Sequence, residues 1–157
     1  MAVLKNLMRR LGALAVALTV AACASSAAAD TIRTDVTGQI TVNMTLGGRA
    51  QSALTLTAYR VASVDADGSY TVRPPFDDSV AQLEPSALTT ASQVQQMADA
   101  LAAQAGNATP AATKTSGSDG AIVFEELEVG AYVIVLTGTG GQRITMNPML
   151  VYLPTHY

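Results

Sequence analysis

The stretch "GQITVNMTLGG", residues 38–48, alternates strictly between apolar and polar side chains. Ile40, Val42, Met44 and Leu46 share one phase, and Thr41, Asn43 and Thr45 the other. Period two with β-branched residues specifies a half-buried strand, which Gly47-Gly48 ends. The pattern recurs along the chain. "ALTLTAYRVASV", residues 53–64, puts Leu54 and Leu56 on one phase but Tyr59 and Val61 on the opposite one. That slip predicts a bulge or a strand covered on both faces. "DADG", 65–68, is a turn, and "SYTV", 69–72, a returning strand; Asp-Gly supplies the positive φ of a tight hairpin.

Near the C-terminus, "SDGAIVFEELEVGAYVIVL" adds two strands. Ile122 and Phe124 share a phase, "ELEVG" (126–130) reads as a connector, and "AYVIVL" (131–136) is apolar on both phases, as a central strand is. After the glycine-rich "TGTGGQR" comes "ITMNPMLVYLP", in which Met149, Val151 and Leu153 alternate with Leu150 and Tyr152. Pro148 lacks an N–H and belongs at a bulge or an edge. This hairpin is expected to supply central core strands, each buried aliphatic side chain contributing ~1.5–3 kcal/mol. At least six short strands separated by turn signals predict a sandwich.

The N-terminus has a different character. Lys5, Arg9 and Arg10 precede an apolar run from Leu11 to about Cys23, then small residues. This is the pattern of a secretory signal, residues 1–29, with an apolar run short of the ~20 residues of a bilayer span. Two cleavage sites compete. Ala27-Ala28-Ala29 fits the small-x-small rule, with Asp30 becoming the first residue. "VAAC", Val20–Cys23, fits a lipobox, in which Cys23 is lipidated. The cut before Asp30 is favoured. The exported domain then covers residues 30–157, enough chain for one domain with a sizeable core. Its cations are Arg33, Arg49, Arg60, Arg73, Lys114 and Arg143, against all twelve acids, giving a net charge of −6 (6 − 12). That balance argues against nucleic acid and anionic membrane surfaces as partners. Without cysteine beyond Cys23, disulfides and thiolate metal sites are excluded from the domain.

"TASQVQQMADALAAQAGN", 90–107, is the one helix candidate. Thr90 with Gln93 matches a capping box, Val94, Met97, Ala98, Leu101 and Ala105 form one face, and Gly106 is a stop. The helix is expected to cover an end or edge of the sheets. A membrane-surface role is disfavoured, since it has no Lys or Arg and carries Asp99. "ATPAATKTSGS", 108–118, reads as a polar loop.

Catalytic constellations are scarce. The single histidine, His156, is the next-to-last residue of the sequence. No catalytic, cofactor-binding or metal-ligating residue is assigned. "DADGS", 65–69, departs from a calcium loop, which wants glycine sixth and an acid twelfth; here Gly68 is fourth and Phe76 twelfth. Asp77-Asp78 reads as a solvated loop. "GTGG", 138–141, lies between strands with no helix after it, so it reads as a hairpin loop and not a phosphate cradle. Glu125, Glu126 and Glu128 crowd the connector as solvated charge, and a two-carboxylate hydrolase would want an aromatic cleft in a chain with no Trp.

Taken in order, "GQITVNMTL", "LTLTAYRVASVDADGSYTV", "PPFDDS", the capped helix, "SDGAIVFEELEVGAYVIVL" and "NPMLVYLP" resemble the N-terminal domain of sortase-assembled fimbrial (backbone) pilins and surface adhesins of Gram-positive bacteria. The likeness spans about Gly38 to Pro154. It implies a mainly β fold, a β-sandwich of Ig-like or prealbumin-like type with one inserted amphipathic α-helix. It further implies a non-catalytic structural module of the cell surface or cell wall, partnered by other pilin subunits and sortase, with room for a host surface ligand and no cofactor. "LPTHY", 153–157, departs from the family's sorting signal, so the chain is read as one segment of a longer protein. Family isopeptide staples need a buried lysine. Lys114 is the sole lysine of the domain and stands in the polar stretch, and Arg60, at the family's Lys/Arg position, stays protonated. No isopeptide bond is expected in this segment. The alternative reading is a carbohydrate- or matrix-binding sandwich on a lipoprotein anchored through Cys23.

Overall fold

The computed structural model describes residues 31–76 and 83–154. The expected signal segment, Cys23, Asp77-Asp78 and His156 lie outside the described residues. Among the described residues, nine strands and one α-helix follow in the order β1 (Thr37–Asn43), β2 (Thr45–Leu46), β3 (Arg49–Ala50), β4 (Thr55–Val64), β5 (Tyr70–Val72), α1 (Ala91–Gln104), β6 (Ala112–Thr115), β7 (Ala121–Glu128), β8 (Gly130–Gly138) and β9 (Met149–Leu153). The fold is mainly β. The main sheet runs β5-β4-β8-β9, with β6 also on β4, and β1 pairs with β7 in a second layer. All pairings are antiparallel.

The two layers close on an inner core. Ile40, Met44, Ile122, Phe124 and Leu127 from the β1–β7 layer meet Leu54, Leu56, Ala58, Tyr132, Ile134 and Leu153 of the main sheet. Helix α1 covers the opposite face. There Leu101 and Ala105 join Val61, Ala62, Phe76, Leu83, Ala131 and Val133. Strands β4 and β8 are therefore covered on both sides, which is why both phases of each are apolar. The slip in β4 is also a bulge: Arg60 faces Tyr132 and Ala62 faces Ala131, leaving Val61 extra. Strand β9 keeps its alternation, with Met149, Val151 and Leu153 toward the inner core and Leu150 and Tyr152 toward the helix.

The helix begins as its cap dictates. The Gln93 N–H donates to Thr90 Oγ1 at 3.2 Å, and the Thr90 N–H donates to Gln93 Oε1 at 3.0 Å. It covers a face of the main sheet, on the side of β8 and β9, and not an end or edge as expected: its buried stripe of Ala98 and Leu101 meets the outward phase of two adjacent strands.

Other expectations are corrected. The "polar loop" contains strand β6, which pairs Thr55 with Thr115 and Leu56 with Lys114. The Thr55–Thr115 hydroxyls lie 2.8 Å apart and the Thr57–Thr113 hydroxyls 3.1 Å, so the pairing is polar and leaves no apolar alternation to read. Residues 126–128 extend β7; the connector to β8 is Val129 alone. The closing segment forms a strand only over Met149–Leu153, and β9 is the sheet's last strand and not a central one. Leu46 leaves the phase of Ile40: it is 63% exposed on the hairpin β2–β3, which turns through Gly47 (φ 58°) and Gly48 (φ 76°).

The topology gives the molecule two ends. One, the Gly130 end, gathers the end of β4, the β7–β8 junction, the end of β9 and the start of β1. A Cβ placed on Gly38 would touch Leu153 at 3.5 Å. The other, the Gly138 end, gathers the start of β4, the 116–120 loop, the turn after β8 and the β2–β3 hairpin, tied on by the Gln51 N–H to the Met44 carbonyl at 2.8 Å.

Candidate functional site

Leu54, just before β4, and Leu56 and Ala58 on it point into the inner core, and Arg60 follows on the same phase. It lies two residues nearer the Gly130 end, where the sandwich opens. The stem is covered while the guanidinium reaches the rim, leaving the side chain 16% exposed. There it pairs with Glu128, itself 70% exposed, and donates from Nη2 to the Val129 carbonyl at 2.6 Å. The buried Nε has no acceptor among the described residues. The Tyr132 hydroxyl donates to the Glu128 carbonyl at 2.5 Å. Burial pushes the Tyr132 phenol above its ordinary value, against the opposing pull of Arg60.

These residues wall a cleft of about 520 Å³, with Arg73, Pro74, Pro75 and Phe76 on one side and Glu126, Leu127 and Glu128 on the other. Its carboxylate wall is shaped by a bulge. Leu127 faces Gly38 and Phe124 faces Ile40, so Glu125 and Glu126 together oppose Gln39. Glu126 takes a positive φ of 56°, a conformation that L-residues seldom adopt and that is recurrent where a strand re-aims a side chain. Gly130 is the second backbone requirement. It has φ 150°, and a Cβ there would lie 2.2 Å from the Ala62 carbonyl oxygen and 3.1 Å from Arg60 Nε.

The acids of the expected connector are thus gathered at this rim, with Arg60, which sequence reasoning had weighed only as a non-nucleophile. The signal was present: a cation on the buried phase of a strand. Lys114 stands elsewhere, exposed on β6. Asp67 Oδ1 accepts from the Ser69 N–H at 3.0 Å and its hydroxyl at 2.7 Å, closing the β4–β5 turn and holding the Asp67 carboxyl below its ordinary value. The 138–141 segment turns through Gly140 and Gly141, with the Gln142 N–H donating to the Thr139 carbonyl at 2.9 Å. Among the described residues, no group of three or more His, Cys, Asp and Glu side chains is placed to hold a metal ion, and no helix is long and apolar enough to cross a membrane.

No family model matches the chain, and no curated protein sequence does. Solved structures are similar to it, two pilins among them. The full-length major pilin SpaD from Corynebacterium diphtheriae is 20% identical with a TM-score of 0.48, over 81% of this chain and 27% of that one. The T6 backbone pilin of serotype M6 Streptococcus pyogenes, which has a modular three-domain structure, is 20% identical with a TM-score of 0.46, over 78% of this chain and 24% of that one. This chain spans about a quarter of the length of each. Both are pilins, the family that the order of sequence motifs resembles.

Proposed function

We propose that this chain is a structural segment of a bacterial surface fimbria, exported by its N-terminal signal, joined to other pilin subunits by a sortase, and without catalytic activity. The observation that carries the reading is the β4–β8 pair. It runs from Thr55 opposite Gly138 to Ser63 opposite Gly130, with apolar side chains covering both faces. A long antiparallel pair enclosed in this way gives a stiff module that needs no disulfide. The motif order from Gly38 to Pro154 supports the same reading.

The test is an immunoblot of boiled, detergent-treated wall extracts from the producing bacterium, probed for residues 31–154. A ladder of detergent-resistant multimers that collapses when the sortase is deleted is the expected result. A single band labelled with radioactive palmitate would overturn it in favour of a lipoprotein held by Cys23. Intact mass checks the expected absence of an isopeptide bond: loss of one ammonia or one water would refute it.

A further inference from the structure

The two layers of the sandwich are unequal. The main sheet has five strands, and the layer over it only β1 and β7 among the described residues. Strand β1 lies over the β9 side, where Gly38 approaches Leu153. On that flank the inward side chains of β9, Met149 and Val151, and Val42 of β1 are only half-buried. The backbone of β1 bonds to β7 alone: among the described residues no N–H or C=O of Thr37–Asn43 meets any other partner. Alternate backbone groups of a seven-residue strand therefore face outward unpaired.

Free edges ordinarily carry features that keep a second strand away: charge, proline, a kink, or shortness. The other edges here have them. Strand β5 has three residues, and β6 carries the exposed Lys114. Strand β9 has five residues, set between Pro148 and Pro154. Strand β7 carries the exposed Glu125, Glu126 and Glu128 and the kink at Glu126, φ 56°. Strand β1, "TGQITVN", has no charge, no proline and no positive φ. Its outward side chains, Thr37, Gln39, Thr41 and Asn43, are exposed and neutral.

We propose that β1 is a side-by-side pairing edge, and that its occupant is β1 of a second copy, antiparallel about a two-fold axis at Ile40. A strand that fits here must present apolar side chains to the core, neutral polar ones to water, and a backbone of matching length. Strand β1 meets these terms itself. With Ile40 opposite Ile40, Thr37 faces Asn43 and Gln39 faces Thr41 on the outer side, while Gly38 faces Val42 on the inner side. Every pair then keeps its phase, as antiparallel pairing requires. The half-buried Val42 of each copy is set beside Gly38 of the other, the position that touches Leu153. The contact uses one patch twice, so it closes at two copies. It goes beyond the fibre reading and does not rest on it, since it needs neither a sortase nor a covalent bond.

The purified exported chain is examined by sedimentation over a wide concentration range. Weight-average mass should rise and level off at twice the monomer. Salt at ~0.5 M should leave the rise intact or strengthen it, because the contact is neutral and two acidic copies then repel less. The double variant Gln39→Lys with Thr41→Lys sets like charges directly opposite at two places and should weaken pairing by roughly tenfold or more. Gln39→Glu with Thr41→Glu should do the same, and mixing the two double variants should restore a dimer with one copy of each. Both positions are exposed, so the melting temperature should hold, which separates lost pairing from lost folding. Register is read with cysteines, since the exported domain has none of its own. Opposed Cα atoms lie ~4.5–5.5 Å apart, a span that a disulfide bridges. A mixture of Gln39→Cys and Thr41→Cys chains should therefore cross-link one to the other under mild oxidation. A monomer at every concentration, a mass that climbs past the dimer, dimers that survive the charged variants, or no 39–41 cross-link would overturn the proposal.

Discussion

Strand β4 begins and ends in different surroundings, although its inward phase is continuous. Over Thr55–Ala58 the strand is enclosed: Leu56 and Ala58 are fully buried, and Ala58 faces Ile134, also fully buried. Two residues later the same phase carries Arg60, whose charge is met by Glu128 and the Val129 carbonyl. Phase alone therefore does not decide what a position tolerates. The distance to water along the strand decides it, because a long side chain can bury its stem and still place its charge at the rim.

The enclosed half should break hardest. Ile134→Asp places a carboxylate between the two layers with no cation nearby, and Val133→Asp does the same on the helix side. Either should abolish the cooperative thermal transition, since an unpaired buried charge costs several kcal/mol against a total stability of ~5–15 kcal/mol. A soluble variant that melts cooperatively would show that the enclosure is misassigned.

At the rim, Gly130→Ala should come next. The added methyl meets the Ala62 carbonyl oxygen at 2.2 Å in a backbone conformation disfavoured for alanine. A loss of ~3 kcal/mol in denaturant titration is expected, as for other strained positions.

The ion pair gives a sharper and smaller contrast. Glu128→Ala strips the partner from a guanidinium that is largely covered, whereas Arg60→Met leaves behind a carboxylate that water already reaches. Removing one partner of a covered pair is the costly change, and replacing the covered charge by an apolar side chain of similar length is not. The first should cost ~1–2 kcal/mol and the second close to nothing. Equal losses would mean that the rim is more exposed than its geometry indicates.

The smallest effect is confined to alkaline solution. Burial pushes the Tyr152 phenol up to about 12, and those of Tyr70 and Tyr132 upward as well. A raised folded-state value stabilises the fold fully below the unfolded-state value of ~10 and progressively less as pH rises through the folded one. The melting temperature should therefore hold to about pH 10 and fall toward pH 12, in step with phenolate absorbance. Tyr152→Phe should flatten that fall. The same slope in wild type and variant would remove Tyr152 from the account.

Much of the fold was legible because it rests on local periodicity. The double apolar phase of "AYVIVL" and the slip between Leu56 and Tyr59 each became a strand covered on both faces, the latter with the bulge at Val61. The Thr90–Gln93 box placed the helix start at Ala91. Strand β6 was missed because "ATKT" pairs through hydroxyls at an edge, with no apolar rhythm to betray it. The face that α1 covers depends on which strands lie side by side, which periodicity does not encode. The cleft shows both limits. A cation on the phase of Leu54, Leu56 and Ala58 was visible in the sequence. That Arg73, Glu126 and Glu128 would line the same opening required the crossing of β7 over the main sheet.

One last consequence concerns mechanics. The opening strand β1 and the closing strand β9 come together where Gly38 approaches Leu153. Tension drawn between these two strands would enter and leave at a single corner. It would prise successive hydrogen bonds apart in turn, like a zip, instead of straining them side by side. A chain arranged this way resists traction best when the pull bypasses that corner.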